Sequence, residues 1–531
     1  MNSPQFIAAE LGEFFSPLTA FMLVLVFSFL LCLVVGIGND DSASEFFVAN
    51  RKISTFRNTL ALCGDWIPTS ALLATVSGVA IGGFDGMVIA ASVTMTAPIL
   101  LLMAERLRAA GEFTLGDILA RRFPSDGTRL AAGTITLVIC ILMTVIQLTV
   151  AGNATAYVLG LEGGSASQFC TILIGLLIIM FAAIGGMRGT SMIQAVKTVL
   201  VLAALLVLAV VVLNRAKWDL SAVTESAGRH SGDSLSYFSP GRLYGDSTAG
   251  LLDTVSLGVT AAFGSAVLPH VVMRLNVFRD GRAVRQGVTT ATVVLAVFAA
   301  LATLAGLGAA ATVASGSLTL EGQRNVAALF QLAEAVGGDG TGRSLLGLVS
   351  CAVFLTSLST ASGLTLAIGS LAHDLYSSSK WRGKGETLRE ISLARWFIVG
   401  SGALGLLLAV ELGSWSIVAL TSFGFAVAAS TVLPALAYSL FWKDFTRAGL
   451  YATLYGSFAF CLVLELFSPS VSGSPGALLS NQDFHWFPMQ HIALVSVPVG
   501  FLLGWACSRL TWPSRAEEGT AEALGAAREW G

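Results

Sequence analysis

Runs of 18 or more predominantly apolar residues recur along nearly the whole of this 531-residue chain. A helix needs about 20 such residues to cross the hydrocarbon core of a bilayer. No soluble fold buries that many long apolar segments, so the runs restrict the chain to an all-α integral membrane architecture. Composition agrees: 12% of residues are charged, against about 25% in soluble proteins. The first run, PLTAFMLVLVFSFLLCLVVGI at 17–37, has no Lys or Arg ahead of it, and the first basic residue is Arg51. A secretory leader opens with a basic segment, so this run reads as a retained span.

Thirteen spans are expected, at about 17–37, 57–83, 85–104, 130–152, 168–186, 190–213, 249–273, 286–312, 344–372, 393–411, 415–440, 448–467 and 490–509. Of the 30 Lys and Arg, 23 fall in one set of connections, 6 in the opposite set, and Lys197 lies inside a span. The basic side is expected to be cytoplasmic in a cell membrane, with the N-terminus outside and the C-terminus inside.

Several function classes drop out. The seven cysteines form no CxxC pair and the five histidines lack ligand spacing, which disfavours a transition-metal site or a disulfide framework. No GxxxxGK[ST] occurs, so an ATP-driven pump lacks its phosphate loop. Near-neutral charge without basic, aromatic-rich clusters argues against nucleic acid. No nucleophile–base set suggests an enzyme, and neither a cofactor nor an obligate protein partner is indicated.

Two spans carry internal breakers. LCGDWIPTS at 62–70 places Gly64, Asp65 and Pro68 within five positions of an apolar run, and FGSAVLP at 263–269 places Gly264 and Pro269 in another. A charge at mid-membrane costs about 2.5–3.5 kcal/mol on insertion scales, and a proline inside a helix costs about 3 kcal/mol. Interrupted helices at corresponding places in two halves point to a transporter binding site, because unwound backbone supplies carbonyls and half-helix ends to an ion or solute. Asp65 is expected either to cap freed N–H groups or to lie near a cation. Lys197 and Asp253 are expected to be gating or interfacial charges, with Lys197 able to snorkel.

Several segments are then recognisable: FFVANRKIS (46–54), GDWIPTSALL (64–73) with FDG (84–86), AERLRAAGEFTLGDILARRF (104–123), GGMRGTSMIQAVK (185–197), FGSAVLPHVVMR (263–274) and HDLY (373–376). In this order they resemble the sodium:solute symporter family, in particular its cation/acetate (monocarboxylate) symporter branch. The resemblance implies a LeuT-like inverted five-plus-five helix repeat, with one extra helix before it and two after. The chain then divides into an N-terminal helix and connection (1–56), repeats over 57–213 and 249–440 flanking an external loop (214–248), two C-terminal helices (441–512) and a short tail (513–531).

The resemblance also implies sites. A coupling Na+ would meet the carbonyls of Cys63 and Trp66, with Asp65 nearby, and the hydroxyls of Ser359 and Thr360 in TSLSTASG (356–363). A small carboxylate would meet Thr69 and Ser70 after the first break, Phe263, Gly264 and Ser265 at the second, and Gln147 in QLTVAGN. Where the branch tends to have Lys, this chain has Asn153. The expected activity is symport of an acetate-like solute, such as acetate, propionate or pyruvate, with Na+ or also H+. The alternatives are a symporter of a neutral or zwitterionic solute (proline, a sugar or a vitamin) and a non-transporting membrane sensor.

Overall fold

The computed structural model describes residues 17–36, 42–161, 163–232, 234–313, 327–377, 387–413, 415–474, 477–479 and 481–512. The tail 513–531 lies outside them. Among the described residues every regular element is helical. In chain order the principal helices are α1 (Pro17–Gly36), α2 (Thr55–Trp66), α3 (Thr69–Gly82), α4 (Phe84–Leu101), α5 (Leu115–Arg122), α6 (Asp126–Val158) and α7 (Gly164–Arg215). They continue with α8 (Thr248–Val259), α9 (Pro269–Leu275), α10 (Gly281–Thr312), α11 (Ala327–Gly369), α12 (Leu371–Ser377) and α13 (Thr387–Glu411). The last four are α14 (Ile417–Val427), α15 (Leu433–Phe441), α16 (Ser457–Leu466) and α17 (Ala493–Leu510).

Phe169, Val199, Val293, Trp396 and Leu407 are exposed, while Asp65, Asp85, Gln147, Gln194, Lys197 and Arg274 are buried within a largely apolar core. That distribution suits a lipid-facing exterior around a few internal polar groups.

Among the described residues ten helices are long and apolar enough to cross a membrane, or eleven with the bent pair α2–α3 taken as one span. The expectation of thirteen differs for two reasons. The count of ten takes the 52-residue α7 as one helix, whereas α7 is two helices joined at a kink where Gly186 (φ 50°, ψ −159°) leaves helical geometry, in keeping with the two spans expected there. The expectation also adds α1, whose qualifying apolar stretch is only Met22–Leu31.

Both interrupted helices are present. α2 and α3 meet at an angle of 57°, where Ile67 leaves helical geometry and Pro68 starts the next helix. The second interruption falls inside FGSAVLP, at Val267 and Leu268 just ahead of Pro269. Thr260–Gly264 winds as a π-helix that keeps its hydrogen bonds, and the chain restarts at Pro269, the first residue of α9. Proline suits that first position because its missing N–H has no intrahelical acceptor. The two bends pack close together, since the Trp66 indole N–H donates to the Ser265 carbonyl at 3.1 Å.

The face carrying residues 104–129 is closed by arginines placed on helix ends. Arg122 donates to the carbonyls of Ser439 (2.9 Å) and Lys443 (2.6 Å), and Arg106 to that of Leu440 (2.8 Å). Arg108 donates to the carbonyls of Phe278 (2.7 Å) and Arg279 (3.1 Å). Carbonyls at a helix C-terminus lack intrahelical donors and carry the negative end of the dipole, so a guanidinium suits both needs. Beside them Arg129 bridges Asp117 (2.6 Å) and Asp374 (2.7 Å), and His373 meets Glu390 at 2.8 Å. Burial raises the Asp117 carboxyl, but hydrogen bonding and charge from His373 and Arg129 outweigh it and hold the group well below the usual carboxylate range. These contacts explain the AERLR and TLGDILARRF segments as a seal.

On the opposite face the 214–248 connection is clasped to the start of α4. Both Asp85 carboxylate oxygens accept backbone N–H groups, from Gly241 (3.1 Å) and Leu243 (2.9 Å). Asp253 does similar work, accepting the N–H groups of Gln490 and His491, both at 2.8 Å.

Candidate functional site

The last turn of α2 sits against α7 and α11. Gly64 makes that possible: a Cβ there would lie 2.7 Å from the Gln194 side chain and 2.9 Å from both the Gln194 carbonyl and the Thr198 hydroxyl. Next to it, the Asp65 carboxylate forms a buried ion pair with the Arg274 guanidinium of α9. Gln194 Nε2 donates to both the Asp65 carboxylate (2.6 Å) and the Ser359 carbonyl (3.2 Å). Arg274 also reaches the Ser191 hydroxyl at 2.7 Å. Asp65 therefore caps no helix end. It joins the two interrupted helices to each other.

Lys197 completes this centre. Its ammonium donates to the Gly64 carbonyl at 2.5 Å and to the Thr360 hydroxyl at 2.9 Å. The side chain is fully buried, so it does not snorkel toward an interface as the sequence suggested. A lysine four carbons long reaches the surface only when its helix lets the stem run outward. Here α2 and α11 cover it, and acceptors inside the protein satisfy it.

The five residues expected at a cation converge on this place with different roles. The Cys63 carbonyl accepts from Ile67 N–H at 3.1 Å, Asp65 is paired with Arg274, and Trp66 uses its indole to hold Ser265. The Ser359 hydroxyl turns back to the Thr356 carbonyl at 3.2 Å, the local bonding that Ser and Thr commonly make in helices. Thr360 alone presents its hydroxyl to a positive group, and that group is Lys197. A second cation about 4 Å from that ammonium would be repelled by about 4 kcal/mol at an effective dielectric near 20. The residues present do not fit a sodium ion alongside Lys197.

The solute candidates separate into two sets. Thr69 donates its N–H to Gln147 Oε1 (3.2 Å) and shares a hydrogen bond with the Ser357 hydroxyl (2.8 Å). Gln147 also reaches the Ser70 hydroxyl at 3.5 Å, and Ser265 meets the Thr96 hydroxyl at 2.8 Å. Ser70 and Ser265 line a common cavity between the bends and α14, joined by Trp66, Thr75, Thr421 and Ser422. It is small, about 70 Å³, and none of its lining residues is charged. The Thr75 hydroxyl there has no hydrogen-bond partner. Phe263 and Gly264 do not line it; Gly264 instead backs onto α14, where a Cβ would come 2.3 Å from the Phe425 carbonyl. A second hollow shares Ser70, Ala74, Ile89 and Ile417 with the first and reaches Leu243 and Tyr244 of the 214–248 connection. The cavity thus extends toward the face opposite the arginine seal.

Sequence reasoning does not assign Gln194, Lys197 and Arg274 to the centre. The first two lie three positions apart on one face of α7 within an apolar run, which is a legible signal for inward-facing polar groups. Arg274 falls among the connections when the span is ended at residue 273.

A transporter is the class that this helical bundle, with two interrupted helices around a buried charged centre, defines. Residues 46–456 match the sodium:solute symporter family, and the chain belongs to it. Among curated proteins, it is 28% identical to the monocarboxylic acid transporter of Corynebacterium glutamicum over 98% of this chain and 97% of that one. It is 31% identical to an uncharacterized symporter, YwcA, of Bacillus subtilis over 95% of this chain and 96% of that one. Among solved structures, it resembles a substrate-bound, outward-open Na+-coupled sialic acid symporter (TM-score 0.67, 12% identity, 94% of this chain and 98% of that one). It also resembles Mhp1, a nucleobase-cation-symport-1 family transporter in a closed conformation (TM-score 0.54, 14% identity, 89% and 97%). The structural likeness is one of fold, the LeuT-like arrangement that the sequence leads one to expect.

Proposed function

We propose that the protein takes up a small monocarboxylate, such as acetate, propionate or pyruvate, in symport with a cation, with Na+ or H+ as the coupling ion. The observation that carries this reading is the cavity at the start of α3. The first turn of any α-helix has N–H groups without intrahelical acceptors. Pro68 offers no side-chain cap, Thr69 N–H goes to Gln147, and Ser70 and Ala71 of the same turn line the cavity. A carboxylate suits a helix N-terminus, and the apolar walls suit a short alkyl chain. The curated relative named for monocarboxylic acids supports the same class.

The basic, sealed face is cytoplasmic in this reading, with the N-terminus outside. The cavity then opens outward, and alternating access proceeds by closing the bends over the solute before the seal opens. Uptake of labelled carboxylates into proteoliposomes under inward Na+ or H+ gradients tests the proposal. Accumulation of acetate, propionate or pyruvate supports it. Accumulation of proline, a sugar or a vitamin instead would establish the neutral-solute alternative, and no accumulation of any of them would leave a sensor.

A further inference from the structure

We propose that Lys197 is the cation of the broken-helix site: its ammonium holds the position a coupling Na+ would take, and the protein binds no Na+ there. This inference rests on the symport reading and specifies its ion.

Three observations carry it. The first is position. Lys197 Nζ bonds the Gly64 carbonyl at the C-terminal end of a half-helix and the Thr360 hydroxyl on α11. An end carbonyl and a neighbouring hydroxyl are the oxygens from which a monovalent cation site at such a break is built. The second is charge. Asp65 is already neutralised by Arg274. One carboxylate faces two cationic side chains, so the centre has no anion left to hold a third cation. The third is packing. Lys197 is fully buried, and Gln194, one turn earlier on α7, is locked between Asp65 and the Ser359 carbonyl. The ammonium is therefore delivered from a braced helix.

A tethered cation cannot cross the membrane with the solute. An Na+ gradient then does no work at this position, and the energy for accumulation comes from a cation carried elsewhere in the protein, with H+ the one this inference favours.

The test uses full-length protein in two parallel measurements. In proteoliposomes with a fixed inward H+ gradient, labelled acetate uptake is compared with external Na+ present or replaced by choline. In detergent, equilibrium binding of radioactive sodium is measured on the wild type and on Lys197→Ser. Wild-type uptake that is the same in both salts, with no saturable sodium binding, is the expected result. Lys197→Ser, with the Gly64 carbonyl and Thr360 hydroxyl released, is expected to gain saturable sodium binding. Saturable sodium binding by the wild type overturns the proposal, as does an uptake loss of about tenfold or more in choline, the factor that about 1.4 kcal/mol represents. Should no carboxylate accumulate under any gradient, the symport reading fails by itself, and sodium binding to the wild type still decides the role of Lys197. That measurement needs no variant, so a poorly folding Lys197→Ser does not block it.

Discussion

Asp65 and Arg274 stand 209 positions apart in sequence and form a buried ion pair between the last turn of α2 and the last turn of α9. Each belongs to one of the two interrupted helices, so the pair ties the bends into one mechanical unit. Rocking one bend without the other would separate the charges in a medium that cannot rehydrate them.

Removing one partner leaves the other buried and uncompensated, which costs about 3–5 kcal/mol. Asp65→Ala and Arg274→Ala should each lower thermal stability strongly in detergent. The double variant should lose less than the sum of the two, and strictly additive losses in such a cycle would show that the pair is not coupled.

Gly64→Ala should impair both folding and uptake. Its new Cβ would meet Gln194 and Thr198 at 2.7–2.9 Å, and overpacking of this kind costs about 1–3 kcal/mol. A variant with normal expression, stability and uptake would contradict the close approach of α2 and α7.

At the cavity, Ser70→Ala should raise KM for the carboxylate by about five- to tenfold, the effect of losing one hydrogen bond worth about 1 kcal/mol, with smaller change in maximal rate. Phe263→Leu should leave KM nearly unchanged, since Phe263 does not line the cavity. Uptake kinetics of both variants separate the two sets of sequence candidates.

One monocarboxylate carried with one monovalent cation moves no net charge. Membrane potential contributes about 2.3 kcal/mol per charge per 100 mV, so uptake under a 1:1 stoichiometry should not respond to a valinomycin-imposed potential. Steep dependence on potential would require an additional cation or a neutral solute.

The seal should be acid-sensitive in a defined direction. Asp117 is held below the usual carboxylate range. A depressed native value means its stabilisation is fully present above the unfolded-state pKa near about 4 and is lost as pH falls through the native value. The stability difference between the wild type and Asp117→Asn, followed by thermal unfolding, should narrow as pH falls below about 4.

How far the sequence reveals this molecule depends on the kind of signal. Span positions are legible because twenty-odd apolar residues are a coarse pattern that helix packing does not alter, and Pro68 marks the first bend to within one residue. The second interruption falls inside FGSAVLP at its proline end, while Gly264 stays within a π-helix that keeps its hydrogen bonds, and composition does not distinguish that from unwinding. Lys197 reads as an interfacial charge because a lysine in an apolar run has two fates, snorkelling or internal pairing. Only the Gly64 carbonyl and Thr360, 133 and 163 positions away, select between them. Asp65 is ambiguous for the same reason: its partner lies in a segment that sequence assigns to a connection.

The arginines on the basic face have a kinetic consequence. Arg106, Arg108 and Arg122 each give their guanidinium to main-chain oxygens at or beyond the ends of α9 and α15. Each of these hydrogen bonds can pass to water on its own, since Arg106 is exposed and the other two are half-buried. The seal is therefore built to loosen fastening by fastening, like a seam unpicked stitch by stitch.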